Sequence, residues 1–275
     1  MSTLTPFTDM DPVPRVLIDV PVSEFPAGSV TVSLTRTADG RTMDVRGGQR
    51  MPSGSPVVVL DPEPAFGVPN VYTLIGRDAG GVVVGSWPLG SVVVAFDGVV
   101  IQQPLDTRLA VRVTRLAGTA RELIRETPGE LVYPQGQSLP GLVGLGPRRG
   151  LRDVALALKV ASGADADMLQ ATLGTYDTRQ LPIWLVRTPP GQRLPRILFC
   201  RVGSLRELDD SWWTGAVRFT AVVTEVTPPA PGIAGVALTY SDVKVFYSTY
   251  SAVKARYATY SDVKRDTSLI GAADA

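Results

Sequence analysis

Glu207, Asp209 and Asp210 stand immediately ahead of Trp212 and Trp213, a grouping that could in principle set carboxylates beside an aromatic sugar platform. Their adjacency argues against that chemistry. Carboxylates that hydrolyse a glycosidic bond flank it at roughly 5 to 10 Å and come from separate elements. Three acids within four residues read instead as a solvated hairpin turn. Trp212 and Trp213 then open a strand, one facing a core and the other a partner subunit or solvent.

The run from Gly141 to Gly150, with Gly144, Gly146, Arg148 and Arg149 inside it, suggests a phosphate cradle. No Gly-Lys-Ser/Thr closes it, and the residues that follow have strand rather than helix character, so it reads as a mobile loop. Its two adjacent arginines remain available to line a charged passage in an assembly. Cys200 lies in the apolar run Ile197-Leu198-Phe199-Cys200 and reads as a buried, inert thiol. The chain contains no histidine, which removes Ser-His-Asp triads, Cys-His dyads and the usual zinc sets. The reading is therefore of a protein that is not an enzyme and needs no metal or cofactor.

Charge narrows the partners further. Lys plus Arg number 27 against 26 Asp plus Glu, so the global basic excess expected of a phosphate-backbone binder is missing. The longest apolar runs, such as Val92 to Phe96, are far too short to span a bilayer as a helix, and the N-terminus lacks the pattern of a secretion signal. The expectation is a soluble chain without a membrane partner.

The elements that would position these residues are mostly strands. From Pro12 to about Gln103, β-rich runs alternate with turn chemistry. Ser29 to Arg36 is turned at Ala38-Asp39-Gly40 into Thr42 to Val45. Val71 to Ile75 is turned at Asp78 to Gly81 into Val82 to Val84, and Val92 to Phe96 is turned at Asp97-Gly98 into Val99 to Ile101. Short strands at this spacing predict an immunoglobulin or fibronectin-like β-sandwich over residues 1–103.

Residues 104–228 read as a mostly antiparallel β domain with one helix. Its strands include Leu109 to Arg115, Asp153 to Val160, Ile183 to Arg187, Arg196 to Val202 and Ala216 to Val223. The helix is expected over Met168 to Leu173, behind acidic residues and stopped at Gly174. The strands Ile183 to Arg187 and Ala216 to Val223 are expected to offer edges that a neighbouring copy could extend.

Residues 229–275 begin with a Pro-rich linker and then repeat Thr-Tyr-Ser-x-Val-Lys three times, ten residues apart. Thr239, Thr249 and Thr259 are expected N-caps, and Asp242 and Asp262 complete a capping box with Asp in place of Glu. Ten residues is not a whole number of helical turns, so three short helical segments fit better than one long helix. Tyr240, Tyr247, Tyr250, Tyr257 and Tyr260, with Trp212 and Trp213, are the candidate subunit-docking residues, because aromatic rings give large contact area at low entropy cost. Lys244, Lys254 and Lys264 read as solvated ends of the repeats.

Two stretches resemble the minor tail proteins and distal tail proteins of long-tailed (siphovirus) phages of actinobacteria. One comprises "VTVSLTRTADGRTMDVRGGQR" and "PAFGVPNVYTLIGRDAGG". The other runs from "RRGLRDVALALKVASGADADMLQATL" through "LPIWLVRTP" to "DDSWWTGAVRFTAVVTEVTPP", followed by the Thr-Tyr-x-Asp-Val repeats. The resemblance implies a structural protein of the virion's tail tip, made in the host cytoplasm. It implies a tail-tube-like second domain in a homo-oligomeric ring, expected to be a homo-hexamer, that continues the tail tube, and an outward first domain. Other tail proteins (tube, hub, tape measure) would be its neighbours, and DNA would pass through the lumen without specific binding. The decoration stands first here, which departs from many distal tail proteins. The rival expectation is a carbohydrate-binding accessory module that attaches to cell-wall glycan through Trp87, Trp184, Trp212 and Trp213; a glycan-degrading enzyme is a third.

Overall fold

The computed structural model describes residues 1–136, 138–144, 146–176, 178–208, 215–230, 240–247, 249–259 and 262–263, without the side chains of 240–242. The fold is mainly β, built from several antiparallel sheets, a closed barrel and a few short helices.

Eight strands make the N-terminal part: β1 (Thr3–Phe7), β2 (Arg15–Val20), β3 (Thr31–Ala38), β4 (Arg41–Asp44), β5 (Met51–Pro52), β6 (Val57–Asp61), β7 (Pro69–Arg77) and β8 (Val83–Val93). They form a three-stranded sheet, β1-β2-β6, and a second sheet in the order β4-β3-β7-β8 with β5 also on β3. Both sheets contribute to one core: Val16, Ile18 and Val59 from the first, Val32, Leu34, Tyr72 and Leu74 from the second. The expected hairpins at residues 29–45 and 71–84 form, with Thr35 opposite Asp44 and Ile75 opposite Ser86. Gly40 sits at φ 73° in the first turn, where a side chain would be strained.

The third expected hairpin does not form. Val99–Gln103, β9, leaves the Val92 to Phe96 segment and enters the barrel, pairing with β10 (Asp106–Arg115) on one side and β16 (Ile183–Arg187) on the other. The barrel thus begins at Val99, ahead of Pro104. Its remaining strands are β15 (Val154–Val160), β17 (Ile197–Leu208) and β18 (Val217–Glu225), and the closed order is β10-β15-β18-β17-β16-β9.

Alternation explains the wall. In β15 the side chains of Val154, Leu156, Leu158 and Val160 point into the core while Ala155 faces solvent, and β18 repeats this with Val217, Phe219, Ala221 and Val223. The interior is filled, with Trp184 and Cys200 fully buried in it. Each of β16 and β18 is paired along both sides. The open edges expected of these two strands are therefore absent, because barrel closure consumes them.

Three strands have both faces covered. Val99 and Ile101 of β9 face the barrel core, whereas Val100 joins the N-terminal core. Leu185 of β16 and Ile197 and Phe199 of β17 pack outward against Ala38 and Ala65. Their unbroken apolar runs reflect this double burial.

One helix, α1 (Gly163–Ala171), lies between β15 and β16 and buries Ala166 and Leu169 in the barrel core. It starts five residues earlier than expected, because Ser162 is an N-cap whose Oγ accepts from the Asp165 N–H at 3.1 Å. Between β10 and β15 the chain leaves the barrel as an arm. β11 (Ile124–Arg125) pairs with β14 (Leu151–Arg152) at its base, and β12 (Glu130–Val132) pairs with β13 (Gly141–Val143) further out.

The repeats form α2 (Tyr240–Phe246) and α3 (Tyr250–Arg256). Thr249 Oγ1 caps α3 by accepting from Ala252 N at 3.3 Å. At the third repeat the reciprocal box forms: Asp262 N donates to Thr259 Oγ1 at 3.2 Å, and Thr259 N donates to Asp262 Oδ2 at 2.9 Å. Thr239 lies outside the described residues.

Candidate functional site

The two halves are joined by buried charge. In the N-terminal part, Arg36 Nη1 reaches Asp61 Oδ1 at 2.7 Å and Oδ2 at 2.5 Å, Tyr72 Oη donates to Asp61 Oδ2 at 2.7 Å, and the Glu63 N–H donates to Oδ1 at 3.0 Å. Burial opposes the cationic form of Arg36, but the Asp61 carboxylate outweighs it and holds the pKa above the ordinary arginine value. Burial, and then the Asp61 charge, push the Tyr72 phenol well up, so it stays a donor. Arg46 Nε meets Glu63 at 2.9 Å, and its Nη atoms donate to the carbonyls of Pro229 and Ala230 beyond the barrel.

Arg187 comes from the opposite direction. It leaves the outer face of β16 and is fully buried, donating to Pro14 O at 2.7 Å, Pro64 O at 3.3 Å and Gln102 Oε1 at 2.7 Å, with its guanidinium 4.5 Å from the Phe66 ring centroid. Burial pulls its pKa down to about 9, the Asp61 and Glu63 charges acting the other way, which leaves it charged at neutral pH. The network holds the barrel against the N-terminal sheets, and a cavity of about 300 Å³ reaches its Arg46–Glu63 end.

A cleft opens beside this joint. About 1200 Å³ in volume, it is lined by Asp39 and Arg41 from the β3–β4 hairpin, Arg125 and Arg148 to Gly150 from the base of the arm, Gln192 to Arg196 from the β16–β17 loop, and Glu225 to Pro228. Six arginines face two acids there. Glu225 holds the centre, 3.2 Å from Arg41 Nη1 and accepting from the Leu151 N–H at 2.9 Å. Arg149 pairs with Glu126 at 2.9 Å, whereas Arg125, Arg148 and Arg193 form no ion pair among the described residues.

The predicted docking residues separate into groups. Tyr247 and Tyr257 meet, with ring centroids 5.8 Å apart, edge to face, and hydroxyls 3.3 Å apart. Tyr250 is exposed. Tyr240 begins α2 with its side chain outside the described residues, as are Tyr260, Trp212, Trp213, Asp209, Asp210 and Lys264. Of the tryptophans weighed as sugar platforms, Trp184 is lost to that role: it is fully buried and donates from Nε1 to Thr172 Oγ1 at 2.6 Å. Trp87 is half exposed.

Two surfaces escaped the sequence. The arginine cleft draws on residues from Arg41 to Arg196, with only Arg148-Arg149 as a local signal. The arm exposes Leu131, Val132, Tyr133, Leu139, Leu142 and Val143: Leu131 to Tyr133 reads as a strand, but Leu142 and Val143 stand in the glycine-rich run that reads as a loop, so the pairing that gathers these side chains on one hairpin was hidden. Comparison with known protein families, curated proteins and solved structures finds no match.

Proposed function

We propose that this chain is a structural component of a phage tail tip, self-associating into a closed ring, most simply of six copies, that continues the tail tube in the virion. The observation that carries the reading is the arm. Leu131, Val132, Tyr133, Leu139, Leu142 and Val143 are all exposed on a two-stranded hairpin. A hairpin of this kind is marginal alone, and an apolar surface of that density calls for cover. A neighbouring copy gives that cover repeatedly and closes by rotation.

In this reading the two N-terminal sheets are the immunoglobulin or fibronectin-like decoration, and the barrel is the tube-like domain. Side chains fill the barrel interior, so the passage for DNA lies at the centre of the ring and not within one subunit. Ring contacts fall to the arm and not to β16 and β18, whose edges are used. The tyrosine repeats dock on neighbouring tip proteins through faces such as that of Tyr250. The role needs no catalysis and no cofactor.

The test combines light scattering of the purified protein with imaging of intact virions. Leu131→Asp with Val143→Lys should shift an oligomer to monomer while changing thermal unfolding of the monomer little, since both side chains are more than half exposed. A monomer at every concentration, with no ring density for this chain in the tail, overturns the reading. Retention of such a monomer on cell-wall polysaccharide, lost in Trp87→Ala, would favour the glycan-binding module instead.

A further inference from the structure

The geometry points to the arginine cleft as a binding site for a polyol phosphate, a ligand that carries both phosphate groups and free hydroxyls. The inference stands on the cleft alone and does not depend on the tail-tip reading. Arg41, Arg125, Arg148, Arg149, Arg193 and Arg196 reach it from separate parts of the chain, against Asp39 and Glu225. In a protein whose total formal charge is +1, that convergence is a local concentration of cations and not a general property of the surface.

Guanidinium groups match phosphate oxygens in bidentate geometry, and Arg125, Arg148 and Arg193 have no ion pair among the described residues to give up. Two further atoms in the wall ask for partners. Arg196 donates from Nη1 to Pro189 O at 2.6 Å, yet its Nε is buried with no hydrogen bond. Gln192 presents a buried Oε1 that accepts none. An unsatisfied donor and an unsatisfied acceptor on one loop of the lining suit a ligand that brings both an anionic oxygen and a hydroxyl.

The wall also selects against nucleic acid. Its apolar members are Leu194, Pro195, Val226 and Pro228, and among the described residues no aromatic ring on which a base could stack lines it. The cleft is a compact pocket at a joint and not a stripe that follows a phosphate backbone.

The probe is a short synthetic poly(glycerol phosphate), titrated calorimetrically into the full chain at low salt, with tripolyphosphate and oligo(dT) of equal charge as comparators. The glycerol phosphate polymer should bind best. Arg148→Ala with Arg193→Ala should weaken it about tenfold or more, whereas Arg121→Ala with Arg206→Ala, exposed and outside the cleft, should leave it unchanged. Gln192→Leu should weaken the glycerol phosphate polymer and not tripolyphosphate, which has no hydroxyl. Thermal unfolding of each variant establishes that it is folded. Equal losses in both arginine pairs would reduce the effect to diffuse attraction and overturn the site. Tighter oligo(dT) binding, or a Gln192 variant that weakens both phosphates alike, would overturn the ligand class; no binding of any probe would overturn the proposal entirely.

Discussion

Arg187 donates to the carbonyl oxygen of Pro14 at 2.7 Å, so a residue of the barrel wall is tied to the residue that leads into the second strand of the chain's other half, across 173 positions of sequence. The same guanidinium reaches Pro64 O and Gln102 Oε1, and Gln102 in turn donates to Pro62 O. A fully buried cation without a carboxylate in contact is a costly choice. Here it satisfies two backbone carbonyls and the Gln102 side chain at once and ties the two halves together.

Arg187→Met should therefore destabilise by about 3 kcal/mol or more, because it strands acceptors in a closed interior. Arg187→Lys should recover little, since an ammonium cannot span Pro14, Pro64 and Gln102 in one plane. Urea unfolding checks both. A change under about 0.5 kcal/mol for the Met variant would mean that relaxation or water takes over the bonds.

The Cys200 thiol should resist alkylation in the native protein. It is fully buried inside the barrel, out of reach of water and reagent, and burial, then the Glu225 charge, push its pKa upward. Mass spectrometry after maleimide treatment should show labelling only once denaturant is added. Rapid native labelling would mean the barrel opens locally.

The strands that alternate were legible from sequence, and those with two covered faces were partly not. Asp153 to Val160 and Ala216 to Val223 declare one wet face, so their place in a β wall follows from pattern alone. Val99 to Gln103 carries no alternation, because the barrel takes one face and the N-terminal core the other; the Asp97-Gly98 turn then suggested a hairpin that does not exist. The threonine caps were readable because Thr259 and Asp262 are three residues apart and act locally. The arginine cleft was not, since Arg41, Arg125 and Arg193 are isolated residues that only the tertiary fold brings together. The pairing of Tyr247 with Tyr257 was equally hidden, as it depends on how one short helix turns into the next.

Acidification should loosen the periphery before the core. Burial would raise Asp9 and Glu24, but the Arg15 bond holds the first below its usual value, and Ser2 with the N-terminal ammonium holds the second. Glu126 is held low by the Arg152 hydrogen bond and charge, then by Arg149. A folded pKa below the unfolded one contributes stability that is present above the unfolded value and lost as pH falls through the folded one. Glu63 runs the other way: burial raises it despite Arg46, so the folded state takes up that proton first and gains relative stability as pH drops through its raised value. Amide protection, taken relative to the intrinsic exchange rate at each pH, should fall first near Ser2, Asp9 and the base of the arm between about pH 5 and about pH 3. Earliest exchange in β6, which precedes Glu63, would contradict the order.

Arg46 is buried beside Glu63 and donates to the carbonyls of Pro229 and Ala230, just past the final barrel strand. A chain ending at Ala230 keeps both acceptors and both cores, so it should unfold cooperatively with a midpoint close to that of the full protein. A chain ending at Pro228 loses them and leaves part of a buried guanidinium less well satisfied, at a cost of about 1 to 2 kcal/mol. The repeats beyond Ala230 have their own caps and their own Tyr247 to Tyr257 contact, which is the reason to expect them to be separable. Urea midpoints of the two shortened chains decide the matter. Equal midpoints would deny the two carbonyls a role, and a chain ending at Ala230 that lost its cooperative transition would make the repeats part of a core.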